Sequence, residues 1–360
     1  MKMVKLRPAT FEDADSIARL GLRNGGGQLD IPVWRARWEL YPLAAELKPI
    51  PIGWVLEQDG EVVGTFGNVP LVYELEGRRL VAAIAADWAV DAAYRSMSIR
   101  LLTTFLKQPG VDLCINGSAN PTVSKVLASM KTPAIPEPDY SSPMFWAASP
   151  VEFVGAVLRK RAVRFSNVLA WPAGAALGVW DYARGSGRGG SSEKVFRLPA
   201  FDDRFDRLWD LLRQGPARLR SVRTCAVLEW RFGRALRQEG AVLLAAGSLD
   251  RLTGYAVLQR RPNPELGLGV YDVVDLQAAG DNAETVRSLL IAAVAAARED
   301  GVGALKFLTG HPSKRLPAIG LHPHSYNLGY NQLYYRTTSP DLATALDSPD
   351  VWDFAPFETY

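Results

Sequence analysis

Asp87 stands between Ala86 and Trp88 in a run, Arg79 to Val90, that otherwise reads as an apolar strand. A carboxylate there is either partly desolvated, with a raised pKa and the capacity to take a proton, or turned outward from the strand. Cys114 and Asn116 alternate along the next β-rich run and so share a face. With no histidine in that half of the chain to activate it, Cys114 reads as a buried core thiol. The three histidines, His311, His322 and His324, fall within fourteen residues. His322 and His324 can point to one side of an extended chain, but no Cys, Asp or Glu lies close enough in sequence to complete a tetrahedral site, so no metal is expected. They read as rings touching a substrate or as an ordinary surface loop. Arg218, Arg220 and Arg223 can hold a phosphate or a nucleotide-sugar diphosphate, or form a solvated face. Arg159, Lys160, Arg161 and Arg164 precede the apolar stretch Val168 to Trp180. Residues 159–180 can therefore lie on an anionic membrane surface or pack between domains.

The chain that must position these groups has 360 residues, which suggests two domains. Hydrophobic residues make up 48% and charged residues 22%, a composition that argues against disorder and supports two cores. Lys+Arg 41 against Asp+Glu 38 gives a net charge of +3, too little over this length to suggest a nucleic-acid partner. Two cysteines exclude a disulfide scaffold and suit a reducing compartment. Met1 to Pro8 is charged with no apolar stretch behind it, and the Val168–Trp180 run, interrupted by Pro172, is too short to span a bilayer. A cytoplasmic protein is expected.

Leu6 to Thr10 reads as a strand running into a cap, followed by a helix with Glu12 and Asp13 in its first turn and Asn24-Gly25-Gly26-Gly27 at its end. Trp34 to Tyr41 suggests a short helix. Gly53–Glu57 and Glu61–Phe66 form a hairpin about Asp59-Gly60, and Val69–Glu74 and Arg79–Val90 continue the sheet. Helix Ile99–Leu106, strand Val111–Ile115 and helix Pro121–Met130, capped by Asn120, complete an α+β order. Val151–Phe165 reads as a helix. Gly185 to Ser192 has linker composition. Beyond it the order of hairpin, strand, helix, strand, helix returns, with Asp281 or Asn282 as the cap of the long helix. The expected organisation is an N-terminal domain at 1–150, a helical and Gly/Ser-rich connector at 151–196, and a C-terminal domain at 197–360.

Leu6-Arg7-Pro8-Ala9-Thr10, with Glu12, Asp13, Ala14, Ile17, Ala18 and Leu20, resembles the first strand and helix of the GNAT superfamily of N-acetyltransferases. Glu61-Val62-Val63-Gly64 resembles that family's second-to-third strand step. Trp88-Ala89-Val90-Asp91 with Tyr94 and Arg95 resembles its fourth strand and acyl-CoA loop. Asn116 and Asn120 stand where its fifth strand ends and the next helix begins. The likeness covers roughly residues 4–146, and across 197–336 it rests on element order. Leu228-Glu229-Trp230-Arg231-Phe232 looks like a feature of tandem GNAT proteins, some encoded with polysaccharide-building genes.

The resemblance implies two tandem α+β domains, each a mixed, mostly antiparallel sheet flanked by helices. It implies transfer of an acyl group, acetyl for preference, from acyl-CoA to a small amine or amino sugar. Trp88, Ala89, Val90, Arg95, Ser96, Met97, Ser98, Ile99 and Arg100 would hold the donor. The family's loop cradles a pyrophosphate with successive backbone amides at a helix N-terminus. Here Ser98 and Arg100 replace its two small residues, so they either add contacts or fill the cradle. Asp87 would be the base, with Asn120 and Ser124 nearby. The family's tyrosine acid is replaced by Leu127, and Tyr140 reads as a solvent-facing loop residue. An acyl carrier protein or aminoacyl-tRNA as donor, or a catalytically silent binding or scaffold protein, are the other readings. The acceptor cleft is expected at the junction of the two domains.

Overall fold

The computed structural model describes residues 4–191 and 193–359, and only the backbone of Pro138. The charged N-terminal residues through Met3, and Ser192 of the expected linker, lie outside the described residues. Fourteen strands are described: β1 Lys5–Pro8, β2 Gly53–Gln58, β3 Glu61–Leu75, β4 Arg78–Val90, β5 Leu113–Asn116, β6 Met144–Ala147, β7 Val195–Leu198, β8 Arg220–Ser221, β9 Ala241–Gly247, β10 Leu252–Asn263, β11 Leu268–Ala278, β12 Ala304–Phe307, β13 His324–Ser325 and β14 Tyr334–Thr337. They form two seven-stranded mixed sheets, ordered β1-β2-β3-β4-β5-β14 with β8 beside β3, and β13-β6-β12-β11-β10-β9-β7. In each sheet one parallel pair, β4 with β5 and β11 with β12, interrupts antiparallel pairing.

The turns explain the hairpins. Asp59 and Gly60 have φ of 53° and 82°, and Glu76 and Gly77 have 51° and 77°. Two successive positive φ values match the right-handed twist of the flanking strands. Helix α1 (Ala14–Arg23) begins after Asp13, whose carboxylate accepts from the Thr10 amide and from Arg7 on β1 at 2.7 and 2.8 Å. Helix α2 runs Ile31–Glu39, three residues earlier than Trp34, because Asp30 caps it by accepting from the Val33 amide. Helix α3 is Ser98–Leu106 and α4 is Pro121–Ser129, capped by Asn120.

The sheets do not follow the divisions at residues 150 and 197. Strand β6, from the first part of the chain, pairs with β12 and β13, and β14, from the last part, closes the first sheet against β5. The second sheet thus receives β6 from the first part of the chain, and the first sheet receives β14 and the short β8 from the last part. The units also share one apolar core, in which Leu71 and Val72 of β3 join Leu208, Trp209, Phe232 and Val257.

The connector differs from the single helix expected over Val151–Phe165. Helix α5 (Pro150–Lys160) stops and α6 (Ser166–Ala183) continues the apolar stretch, with Ala162 and Phe165 at positive φ between them. The Gly/Ser segment packs rather than swings. Ser186 donates to the His322 carbonyl, the Gly187 amide donates to Leu321 O, and a Cβ on Gly187 would lie 2.8 Å from Val294.

The second unit adds α7 (Arg204–Arg213), α8 (Cys225–Leu228), α9 (Arg234–Arg237), α10 (Ala283–Glu299), α11 (Pro312–Ile319) and α12 (Pro340–Leu346). Asn282, not Asp281, caps α10, accepting from the Glu284 and Thr285 amides. Glu229–Gly233, which contains most of the tandem-protein feature, is a π-helical turn between α8 and α9.

Candidate active site

The site is made where two parallel strands part. Strand β4 pairs with β5 only through Ala82–Leu113, Ala83–Cys114 and Ile84–Ile115. Beyond Ile84 the β5-facing edge of β4 has no strand partner among the described residues. On its other edge the pairing with β3 slips: Thr65 opposes Ala89 but Gly67 opposes Ala86, so Asp87 and Trp88 stand against the single residue Phe66. This bulge puts Asp87 at φ 46° and swings the end of β4 away. Gly67 permits it, since a Cβ there would lie 3.0 Å from Ala86 O and 3.2 Å from Asp87 Oδ2.

The gap opens into a cleft of about 910 Å³. Its walls are the end of β4, the start of α4, the face of α1 and the loop Gly25–Leu29 that follows it. That loop is moored by Arg23 and Asn24, which donate to Asp91 at the end of β4 at distances of 2.6–3.1 Å. Those donors hold the Asp91 carboxyl below its ordinary range, Arg23 first. All lining residues fall between Ile17 and Val126. The cleft therefore belongs to the first unit, and the expected position at the junction is corrected.

Asp87 lines this cleft. Its Oδ2 accepts from Trp34 Nε1 at 2.9 Å and from Arg37 at 2.7 Å, both on α2. Among the described residues Oδ1 accepts no hydrogen bond. The carboxylate is thus oriented by one oxygen and offers the other. Trp34 and Arg37 are functional neighbours that the sequence reading missed. Their i, i+3 spacing puts them on one helix face, but nothing local shows which distant carboxylate that face meets.

The remaining expected residues divide. Trp88, Ala89, Val90, Arg95, Ser98, Ile99 and Asn120 line the cleft, as does Asn116. Trp88 packs on Phe66 with ring centroids 4.9 Å apart. Asn120 also caps α4 through the Val123 amide. Ser96, Met97 and Arg100 do not line it. Ser96 and Arg100 are exposed, and Met97 packs on the core. Ser124 is turned away and buried, with its Oγ 2.6 Å from the Tyr334 hydroxyl of β14. Cys114 is buried, with its thiol pushed up to about 12 by desolvation. Tyr140 is fully buried rather than solvent-facing, because it packs against Phe354.

The donor loop is tighter than an open cradle. Ala92–Met97 forms a 3₁₀ turn that runs straight into α3. The Tyr94 amide donates to Asp91 O and the Ser98 amide to Arg95 O. Those amides cannot also meet a phosphate. The fit to a CoA pyrophosphate is therefore partial: Arg95 supplies a cation at the cleft wall, and part of the amide run is consumed.

The other candidates have structural duties. Arg218 and Arg220 are paired with Asp281, Arg220 also with Asp353, and Arg223 with Asp275 and Glu358. These arginines are therefore neither a solvated face nor an open diphosphate site. His311 caps α11 through the Ser313 amide, and His324 stacks on Phe145 and bonds Asp181.

No protein-family model and no curated protein matches the sequence. Solved structures do. A GCN5-related N-acetyltransferase from Anabaena variabilis is similar with a TM-score of 0.56 at 12% identity, over 94% of this chain and 73% of that one. One from Kribbella flavida gives 0.53 at 14% identity over 93% and 71%. A protein of unknown function from Enterococcus faecalis, titled a probable N-acyltransferase, gives 0.53 at 11% over 93% and 73%. The chain has the GNAT fold, in two tandem units.

Proposed function

On the GNAT fold that this chain carries twice, we propose that the first unit transfers an acyl group from a thioester donor, acyl-CoA, to a small amine. The observation that carries this reading is the parting of β4 from β5 beside a bulge that presents Asp87 to the cleft. The free edge of β4 offers backbone donors and acceptors to an extended amide-bearing arm, in the manner of an added strand. The acceptor nitrogen attacks the thioester carbonyl carbon. A C–N bond forms, the C–S bond breaks, and the sulfur leaves as thiolate. The ammonium proton passes to Asp87 Oδ1 while Trp34 and Arg37 hold Oδ2. Asn24, Gln28, Asn116 and Asn120 give the acceptor side a neutral polar lining suited to hydroxyl-bearing amines such as amino sugars.

The partly consumed amide run favours a second donor. A carrier-borne pantetheine arm asks less of the loop, and exposed Arg95 and Arg100 suit an acidic carrier protein. Calorimetric titration with acetyl-CoA and with an acylated carrier protein tests both. The expected result is acetyl-CoA binding that Arg95→Ala weakens by roughly 10–150-fold, the loss of one charge-assisted contact. Carrier binding alone transfers the reading to the second donor. Binding of neither removes acyl transfer.

A further inference from the structure

Helix α6 shows the solvent an uncharged face. Between Ser166 and Ala183 its only charged residue is Asp181, which is buried against Arg184 and His324. Its large side chains point the other way. Trp171 is 72% exposed, Val168 71%, Val179 70%, Tyr182 65% and Trp180 63%. This arrangement is built rather than accidental, because α6 meets α5 through small residues. A Cβ on Gly174 would lie 2.4 Å from Val151 Cα, and one on Gly155 would lie 3.2 Å from the Ala170 Cβ. The hairpin is anchored to the body through Lys160 with Glu265, Phe153 packed on Phe145, and Asp181 bonded to His324. An exposed apolar face of this kind marks an interaction surface.

Charge says what it meets. From Phe153 to Trp180 the chain has no acidic residue, while Arg159, Lys160, Arg161 and Arg164 are all exposed. Guanidinium groups also sit at both ends of the apolar face. Arg164 lies over the Phe165 ring at 5.1 Å, and Arg188 over the Tyr182 ring at 4.3 Å. An 18-residue helix is about 27 Å long. We infer that the α5–α6 hairpin lies flat on an anionic lipid bilayer, with Trp171, Val179, Trp180 and Tyr182 among the acyl-chain boundaries and the arginines on the phosphates. Tryptophan and tyrosine favour that boundary, and basic residues beside an apolar helix face add attraction to acidic headgroups. A second copy of this chain would bring the same cations against themselves under a two-fold axis, which disfavours it. Among the described residues no helix is long and apolar enough to cross a membrane, so the contact is peripheral.

Vesicle flotation of the full chain tests this. Vesicles of equal parts phosphatidylcholine and phosphatidylglycerol should carry the protein at low salt and release it at high salt, while phosphatidylcholine alone should carry little. Trp171→Ser with Trp180→Ser should weaken partitioning by more than about 10-fold. Arg159→Ala, Arg161→Ala and Arg164→Ala together should weaken it by roughly 100-fold. Every substituted side chain is exposed, so thermal melts should match the parent and exclude misfolding as the cause. Failure to float with anionic vesicles overturns the inference, as does flotation that neither variant changes. A dimer in sedimentation that the tryptophan variant converts to monomer would also overturn it, by assigning the face to a second copy.

Discussion

The two units place an aspartate just beyond a parallel strand pair, and use it in opposite ways. In the first, β4 bulges at Asp87 and the carboxylate lines an open cleft with one oxygen that accepts no hydrogen bond among the described residues. In the second, β11 pairs with β12 through Val270–Val273, and its register with β10 slips between Val273 and Asp275. Asp275 there is 0% exposed. Arg223 and the Tyr255 hydroxyl donate to its Oδ2 at 2.8 and 2.6 Å, and Glu358 meets the same arginine at 2.9 Å. Burial, reinforced by Asp275, pushes the Tyr255 hydroxyl well above its ordinary value, so it donates and does not ionise. A register slip beyond a parallel pair thus borders an open cleft in one unit and a buried brace in the other. What differs is what faces the aspartate: the cleft at Asp87, and Arg223 with Tyr255 at Asp275.

This contrast breaks if the two aspartates respond alike to substitution. Under the proposed mechanism, Asp87→Asn lowers turnover by about 10²–10⁴-fold, the scale of a general base, while donor affinity stays near that of the parent. Asp275→Ala leaves Arg223 as an uncompensated buried cation and lowers unfolding free energy by about 3–5 kcal/mol in chemical denaturation. Replacing Arg223, Asp275 and Glu358 together with methionine, leucine and methionine should recover much of that loss, since a buried ionic triad is often exchangeable for apolar packing. A smaller effect tests the edge of the site. Ser124→Ala removes the hydroxyl that meets Tyr334, whose own hydroxyl keeps only its longer donation to the residue 124 carbonyl at 3.3 Å; it costs about 0.5–1.5 kcal/mol of stability and leaves turnover unchanged, because Ser124 does not line the cleft. A large loss of turnover in Ser124→Ala at full stability would return Ser124 to the mechanism.

Much of the first unit was legible because its signals are local. Thr10 with Asp13, Asp59-Gly60, Glu76-Gly77 and Asn120-Pro121 each fix a boundary through neighbouring backbone groups. Asp87 could be singled out because a carboxylate is conspicuous among apolar strand residues, although its holders, Trp34 and Arg37, could not. They lie 53 and 50 residues away. The exchange of β6 and β14 was illegible for a related reason. Met144–Ala147 and Tyr334–Thr337 are only four residues each, and alternation says which face a strand buries but not which sheet it joins. The arginines at 218, 220 and 223 misled in the reverse direction. Basic spacing looks the same whether water or Asp281, Asp353 and Asp275 will face it.

A last test, read as a slope against pH rather than a loss at one pH, separates two carboxylates within the buried core itself. Burial opposes ionisation of Asp353, but Lys314 and Arg220 outweigh it and hold its carboxyl well below the usual range. For Glu137, burial dominates and Asp353 adds to it, so its carboxyl is pushed well above its ordinary value of 4.5. The signs then differ. Glu137 is protonated in the fold while the unfolded chain ionises it above pH 4.5, so its contribution is full below that pH and is lost as pH rises toward its folded value. Across that window the parent should lose up to about 1.4 kcal/mol per pH unit relative to Glu137→Gln, whose amide does not titrate. Denaturation curves of the two proteins from acid to mildly alkaline pH measure the difference directly. A gap that widens with rising pH supports a neutral, buried Glu137. One that widens as pH falls would mean that Lys314 holds Glu137 ionised, with the same sign as Asp353.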